Sequence, residues 1–105
     1  MRRGEVWWAE LAPPIGRRPV VLLSRDVAYR VRTSVTVGIV TRIARKIPIE
    51  VPLGPEDGMP KQCVVNLDDI LTIPKARLTG RIAVLSRQKM ADVARAVIFA
   101  LDLKV

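Results

Sequence analysis

Histidine is absent from this 105-residue chain, and cysteine occurs once, at Cys63. A lone thiol closes no intramolecular disulfide, and without histidine no Cys/His metal site can be assembled. A cytosolic protein that works without a cofactor or transition metal is therefore expected. Long apolar runs are missing too, for none approaches the ~20 residues of a membrane span. The charged start Met1-Arg2-Arg3-Gly4-Glu5 leads into no signal-peptide core, and no membrane partner is expected. Acidic charge is in short supply. Eighteen Lys and Arg stand against ten Asp and Glu, a net charge of +8.

What is present is hydrophobic enough to fold. Half the residues are apolar, which argues against disorder, and the length suits one domain, residues 1–105, around a single core. The excess charge is uneven: residues 1–49 carry ten Lys/Arg against three Asp/Glu, residues 50–105 eight against seven. Such polarity favours a polyanionic partner. Charge alone does not choose between RNA, DNA, lipid headgroups and an acidic protein.

The stretch from Gly16 to Ser24 organises the rest. Val20-Val21-Leu22-Leu23 suits a short strand buried on both faces. Pro19 fits at its first residue, where a missing N–H costs the ladder least, and presses Arg18 into an extended conformation. Gly16 supplies the turn. The pattern holds an always-charged guanidinium at the mouth of a rigid strand, as a bidentate phosphate clamp requires. A solvated arginine pair flanking an ordinary strand gives the same pattern.

Around it, residues 4–11 read as a first strand. Trp7 and Trp8 then point to opposite faces. One packs inside; the other covers a barrel end, meets a second subunit or offers a stacking platform for bases. Residues 24–33 read as a basic loop holding Arg25, Arg30 and Arg32. Ser34 to Arg42 reads as a strand with Val35, Val37, Ile39 and Thr41 in one row, followed by a basic turn at Arg42, Arg45 and Lys46. Ile47 to Leu53, with two prolines on its polar side, reads as an edge strand.

Gly54 to Pro60 is a loop by composition. Cys63 to Leu67 is a buried strand with Cys63 as a small core residue, Asp68 to Ile73 a short strand or turn, and Arg81 to Leu85 the last strand. Ser86 caps a helix whose stripe is Met90, Val93, Ala94, Val97, Ile98 and Leu101, with Phe99 about half a turn away. The fold class is mainly β: about six short strands in a small antiparallel barrel, with a C-terminal helix packed on it.

In chain order, Arg3-Gly4-Glu5-Val6-Trp7-Trp8, Arg18-Pro19-Val20-Val21-Leu22-Leu23-Ser24, Val37-Gly38-Ile39-Val40-Thr41, Cys63 to Ile73 and Lys75-Ala76-Arg77-Leu78 resemble the MazF/PemK (Kid) family of toxin endoribonucleases. The resemblance implies an SH3-like barrel, a homodimer, and metal-independent, sequence-specific cleavage of single-stranded RNA, messenger or transfer. It also implies a cognate antitoxin with an acidic tail. The family's catalytic arginine falls on Arg18 and its catalytic threonine on Thr41. Asp68 matches a carboxylate that contacts or orients substrate. Arg17, Arg25, Arg42 and Asn66 complete the expected substrate-binding set.

The implied chemistry is attack of a ribose 2′-hydroxyl on the adjacent phosphodiester, giving a 2′,3′-cyclic phosphate and a 5′-hydroxyl. A fixed guanidinium and a hydroxyl aimed at the non-bridging oxygens each supply about 10²–10³-fold. Some members credit proton transfer to an acidic residue or histidine between the first two strands. Here Ala12 to Arg17 is shorter and holds neither, leaving Glu10 and Asp68 as the nearest carboxylates in sequence. Two rivals stand beside this reading: a CcdB-like poison of DNA gyrase, which depends on a terminal Trp-Gly-Ile absent here, and a non-catalytic RNA-binding barrel.

Overall fold

The aliphatic runs form one antiparallel sheet of six strands in the computed structural model, which describes residues 1–104. The strands are β1 (Glu5–Glu10), β2 (Arg17–Leu22), β3 (Ser34–Thr41), β4 (Glu50–Leu53), β5 (Cys63–Pro74) and β6 (Leu78–Val84). Their spatial order is β4-β5-β3-β2-β1-β6, so β4 and β6 are edges and the sheet curls into a half-barrel. Two helices accompany it, α1 (Ala28–Val31) and α2 (Arg87–Ala100).

The sheet carries core on both faces because side chains alternate along each strand. Val6, Val21, Val40, Val65 and Leu67 pack with Val93 and Ala96 of α2. Ala9, Val20, Leu22, Val35 and Val37 form the second cluster with Tyr29. The two tryptophans divide as their parity requires. Trp7 packs against the second cluster, and its indole N–H donates to Glu5 Oε1 at 2.8 Å; Trp8 lies on the other face.

Several boundaries differ from the sequence reading. The edge strand starts at Glu50, because the Glu50 amide turns back to the Ile47 carbonyl at 3.0 Å. Residues 24–33 are not loop throughout: α1 buries Ala28 and Tyr29, and the Tyr29 hydroxyl donates to the Ser24 carbonyl at 3.0 Å. Burial pushes the Tyr29 phenol up to about 12. Four residues are too few to show a helical period. The two segments from Cys63 to Ile73 are one strand, broken by a bulge: Gly38 faces Ile70 while Ile39 faces Asn66, leaving Leu67, Asp68 and Asp69 between. The last strand starts earlier, at Leu78.

Ser86 caps α2 by accepting from the Lys89 amide at 3.0 Å. Its packed seam keeps Met90, Val93 and Val97 but adds Ala96 and Ala100, while Leu101 lies past the helix end and is 55% exposed. Phe99 is 61% exposed. Among the described residues no helix is long and apolar enough to cross a membrane.

Candidate functional site

Proline chemistry opens the site. The Leu23 amide donates across to the Thr36 carbonyl at 2.9 Å, so by alternation Val21 and Pro19 also turn their backbone nitrogens toward β3. Pro19 has no N–H to give. The β2–β3 ladder accordingly ends at Val20 with Ile39. Beyond that pair both strands continue, each held only from its outer side. Arg18 pairs with Ala9 and Arg17 with Glu10 on β1; Val40 pairs with Val65 and Thr41 with Val64 on β5.

A cleft of about 560 Å³ occupies the gap. One wall is Arg17, Arg18 and Pro19; the other is Val40, Thr41 and Arg42. Met59, Pro60, Lys61 and Cys63 close it from the β4–β5 side, with Trp8 and Ile15 at the β1 side. Four of these side chains are cations and none is a carboxylate. The site is built for anionic groups, with apolar surface between the charges.

Arg18 is anchored without being used up. Its Nε donates to the Ile15 carbonyl at 3.3 Å, and the terminal nitrogens of the fork meet no acceptor among the described residues. Gly16 makes this contact possible: at φ +70° it takes the left-handed turn that brings the loop back, where its carbonyl accepts from the Leu11 amide at 3.1 Å. Thr41 Oγ1 accepts a long bond from the Ile43 amide, 3.4 Å, which leaves its hydroxyl proton free for the cleft. The turn after Thr41 is pinned from below. Glu50, 8% exposed, accepts the Arg45 amide at 2.7 Å and the Lys46 amide at 3.1 Å on Oε1, while its buried Oε2 has no partner among the described residues.

At the rim, Arg17 lies opposite Glu10 and diagonal to Trp8 on one face. Its guanidinium carbon sits 4.2 Å from the Trp8 ring centroid, and its Nε is 3.5 Å from Glu10 Oε1. Cys63 is half-buried; burial, with the Asp57 charge adding to it, pushes its thiol up and keeps it protonated at neutral pH. It is wall, not nucleophile.

Of the residues singled out from sequence, Arg17, Arg18, Thr41 and Arg42 meet in the cleft. Arg25 lies past the far end of β2, beside α1. Asn66 is buried, and its Oδ1 accepts from the Asp68 amide at 2.9 Å. Asp68 is exposed in the β5 bulge. None of these three lines the cleft. Lys61 and Met59 do and were not singled out; only the Thr41–Val64 pairing, which brings the start of β5 beside the end of β3, places them there. No three His, Cys, Asp or Glu side chains gather to hold a metal ion among the described residues.

The chain matches known proteins along nearly its whole length. A family profile described as PemK-like, MazF-like toxin of type II toxin–antitoxin system matches residues 2–101. The chain is 42% identical over 102 residues, 95% of its length and 92% of the relative's, to a probable endoribonuclease MazF5 of Mycobacterium tuberculosis strain ATCC 25618 / H37Rv. Among solved structures it is similar to Mycobacterium tuberculosis toxin MazF-mt6, with TM-score 0.89, 32% identity, and 96% of this chain and 99% of that one covered. A mycobacterial endoribonuclease solved in complex with its cognate antitoxin gives TM-score 0.89 at 27% identity, covering 100% and 98%.

Proposed function

The chain belongs to the PemK-like, MazF-like toxins of type II toxin–antitoxin systems, and from that premise we propose that it cleaves single-stranded RNA in the cleft between Arg18 and Thr41. The observation that carries this is the gap itself: an arginine fork with free terminal nitrogens and a hydroxyl with a free proton face one cationic cleft.

RNA enters with its phosphates toward Arg17, Arg18, Arg42 and Lys61. The 2′-hydroxyl beside the scissile phosphate attacks in line, forming a 2′,3′-cyclic phosphate and releasing a 5′-hydroxyl. Charge grows on the non-bridging oxygens during attack. Arg18 meets it with two parallel N–H donors and Thr41 with one O–H, each contributing about 10²–10³-fold. None of the cleft residues is a carboxylate, so the proton of the attacking hydroxyl passes to water or to Glu10, which the Arg17 contact places at the rim. The leaving 5′-oxygen takes a proton back from the same source. The whole chain serves as one toxin domain and works in the cytoplasm as a homodimer.

The same cationic cleft is where an antitoxin acts. A partly disordered acidic tail orders along it, carboxylates replacing phosphates beside Arg17 and Arg18, with an apolar anchor between them. Ordering costs about 2–5 kcal/mol, so charge alone does not suffice.

Incubation of the purified protein with RNA in EDTA, followed by mapping of the ends, tests the reading. Cyclic-phosphate and 5′-hydroxyl ends are expected, together with resistance of a substrate carrying one 2′-deoxyribose 5′ to the cut. Strict Mg²⁺ dependence or efficient cutting of DNA contradicts the mechanism. RNA that binds but is never cut leaves a non-catalytic RNA-binding barrel.

A further inference from the structure

Trp8 is the one aromatic ring among the described residues of the cleft, and its face is covered by a cation. Arg17 lies 4.2 Å over the ring centroid and is held there by Glu10 at 3.5 Å. Both contacts are weak ones to keep. Arg17 and Glu10 are each about half exposed, 55% and 51%, so their ion pair is worth little in water. An exposed cation–π contact is of similar size. The cleft lining also includes apolar side chains: Pro19, which pairs with Trp8 across β1 and β2, Val40 and Met59. A flat π-face, an apolar floor and a cation that can leave the ring for a phosphate match the alternation of base and phosphate along a single strand.

We infer that Trp8 is a base-stacking subsite gated by Arg17: a nucleobase of the RNA strand lies on the indole where Arg17 lies in the free protein, and Arg17 swings onto the phosphate beside that base. The inference deepens the ribonuclease reading and rests on it for the class of ligand. The exchange replaces one half-exposed ion pair by another, so it is close to neutral in charge terms. The base contributes the net gain. It also removes Arg17 from Glu10, so a base on Trp8 frees the carboxylate at the rim. Stacking accepts any base, so the subsite sets position along the strand and leaves sequence choice to other contacts.

The test uses binding, so that it stands apart from cleavage. The probes are a random-sequence 2′-fluoro RNA decamer, which lacks the attacking hydroxyl, and an abasic decamer with the same number of phosphates. Wild-type protein is expected to bind the base-bearing decamer more tightly. Trp8→Ala loses about tenfold or more on that probe and nothing on the abasic one. Trp8→Phe retains most of the affinity. Trp8→Leu, which keeps apolar bulk in the cleft wall, loses as Trp8→Ala does and guards against a folding artefact. Arg17→Ala weakens the abasic decamer and makes its salt dependence shallower by about one ion.

Equal losses on both probes for Trp8→Ala, full affinity in Trp8→Leu, or no preference of the wild type for bases overturns the stacking subsite. Unchanged abasic binding in Arg17→Ala overturns the transfer of Arg17 to phosphate. Cutting of unmodified RNA by the wild type is scored separately and decides the ribonuclease reading alone.

Discussion

Arg18 and Thr41 each stand two residues past Val20 and Ile39, the last pair of the β2–β3 ladder, on strands that no longer bond to one another. Each is instead gripped from outside, Arg18 through Ala9 and Thr41 through Val64. Two rigid strands thus hold two donors across a gap that water or a phosphate can enter. Pre-placed donors of this kind need no reorganisation when charge develops between them.

The gap depends on the missing donor at Pro19. Pro19→Val restores an N–H aimed at β3 and lets the ladder run on toward Val40. The variant is expected to be as stable as wild type or more so in a denaturant titration, yet about tenfold or more slower in RNA cleavage. Unchanged cleavage with added stability would show that the ladder does not define the gap.

The loop after Thr41 depends on Glu50. Glu50→Ala leaves the Arg45 and Lys46 amides without their acceptor, at a cost of about 1–3 kcal/mol. Glu50→Gln keeps one carbonyl oxygen for both amides and is expected to lose less. Because Arg42 and Lys46 belong to that loop, KM for RNA rises in Glu50→Ala more than kcat falls. Thermal melts and steady-state kinetics of the two variants together check this.

The role proposed for Thr41 rests on its hydroxyl rather than its bulk. Thr41→Ser is expected to retain most activity, whereas Thr41→Val, nearly the same shape, loses about 10²–10³-fold in kcat. Its melting temperature stays near that of wild type, because the hydroxyl makes only the 3.4 Å contact to the Ile43 amide. Single-turnover cleavage separates the two substitutions.

Acid sensitivity traces to the other face of the sheet. Burial works against the Glu5 charge, but hydrogen bonds from the Trp7 indole and the backbone at Arg2, with Arg81 adding a further contact, outweigh it and hold its carboxyl below the usual range. Its folded value is thus lower than its unfolded one. The stabilisation is present above the ordinary carboxylate value and is lost as pH falls through the lowered one. Melting temperature measured from pH 7 down to pH 3 is expected to fall less in Glu5→Gln than in wild type over the acid end.

Much of this site is legible from side-chain parity and strand length. Trp7 and Trp8 had to separate by parity. Pro19 does not open the strand as the sequence suggests: it is the third residue of β2, Arg17 and Arg18 stay paired to β1, and what ends at Pro19 is the ladder to β3. Arg25 shows what composition alone misses. It is basic and follows the central strand, yet Val20, Val21 and Leu22 of β2 stand between the cleft and that loop, so it lands at the other end. Lys61 shows the reverse: nothing local marks it, and only the β3–β5 register carries it to Thr41. Asn66 and Asp68 sit at a bulge, where a shift of pairing moves side chains away from the row that alternation predicts. The helix at Ala28–Val31 was too short for any period to show.

Single-turnover cleavage of RNA by Arg18→Ala tests the central claim most directly. The Arg18 side chain makes one hydrogen bond among the described residues, from Nε to Ile15, and its strand pairing with Ala9 is backbone that alanine keeps. The variant is therefore expected to melt at the wild-type temperature. Its cleavage rate is expected to fall at least about 10²-fold, and Arg18→Lys, a point charge without the planar fork, to fall nearly as far. A folded Arg18→Ala protein that cuts RNA at the wild-type rate would contradict the account.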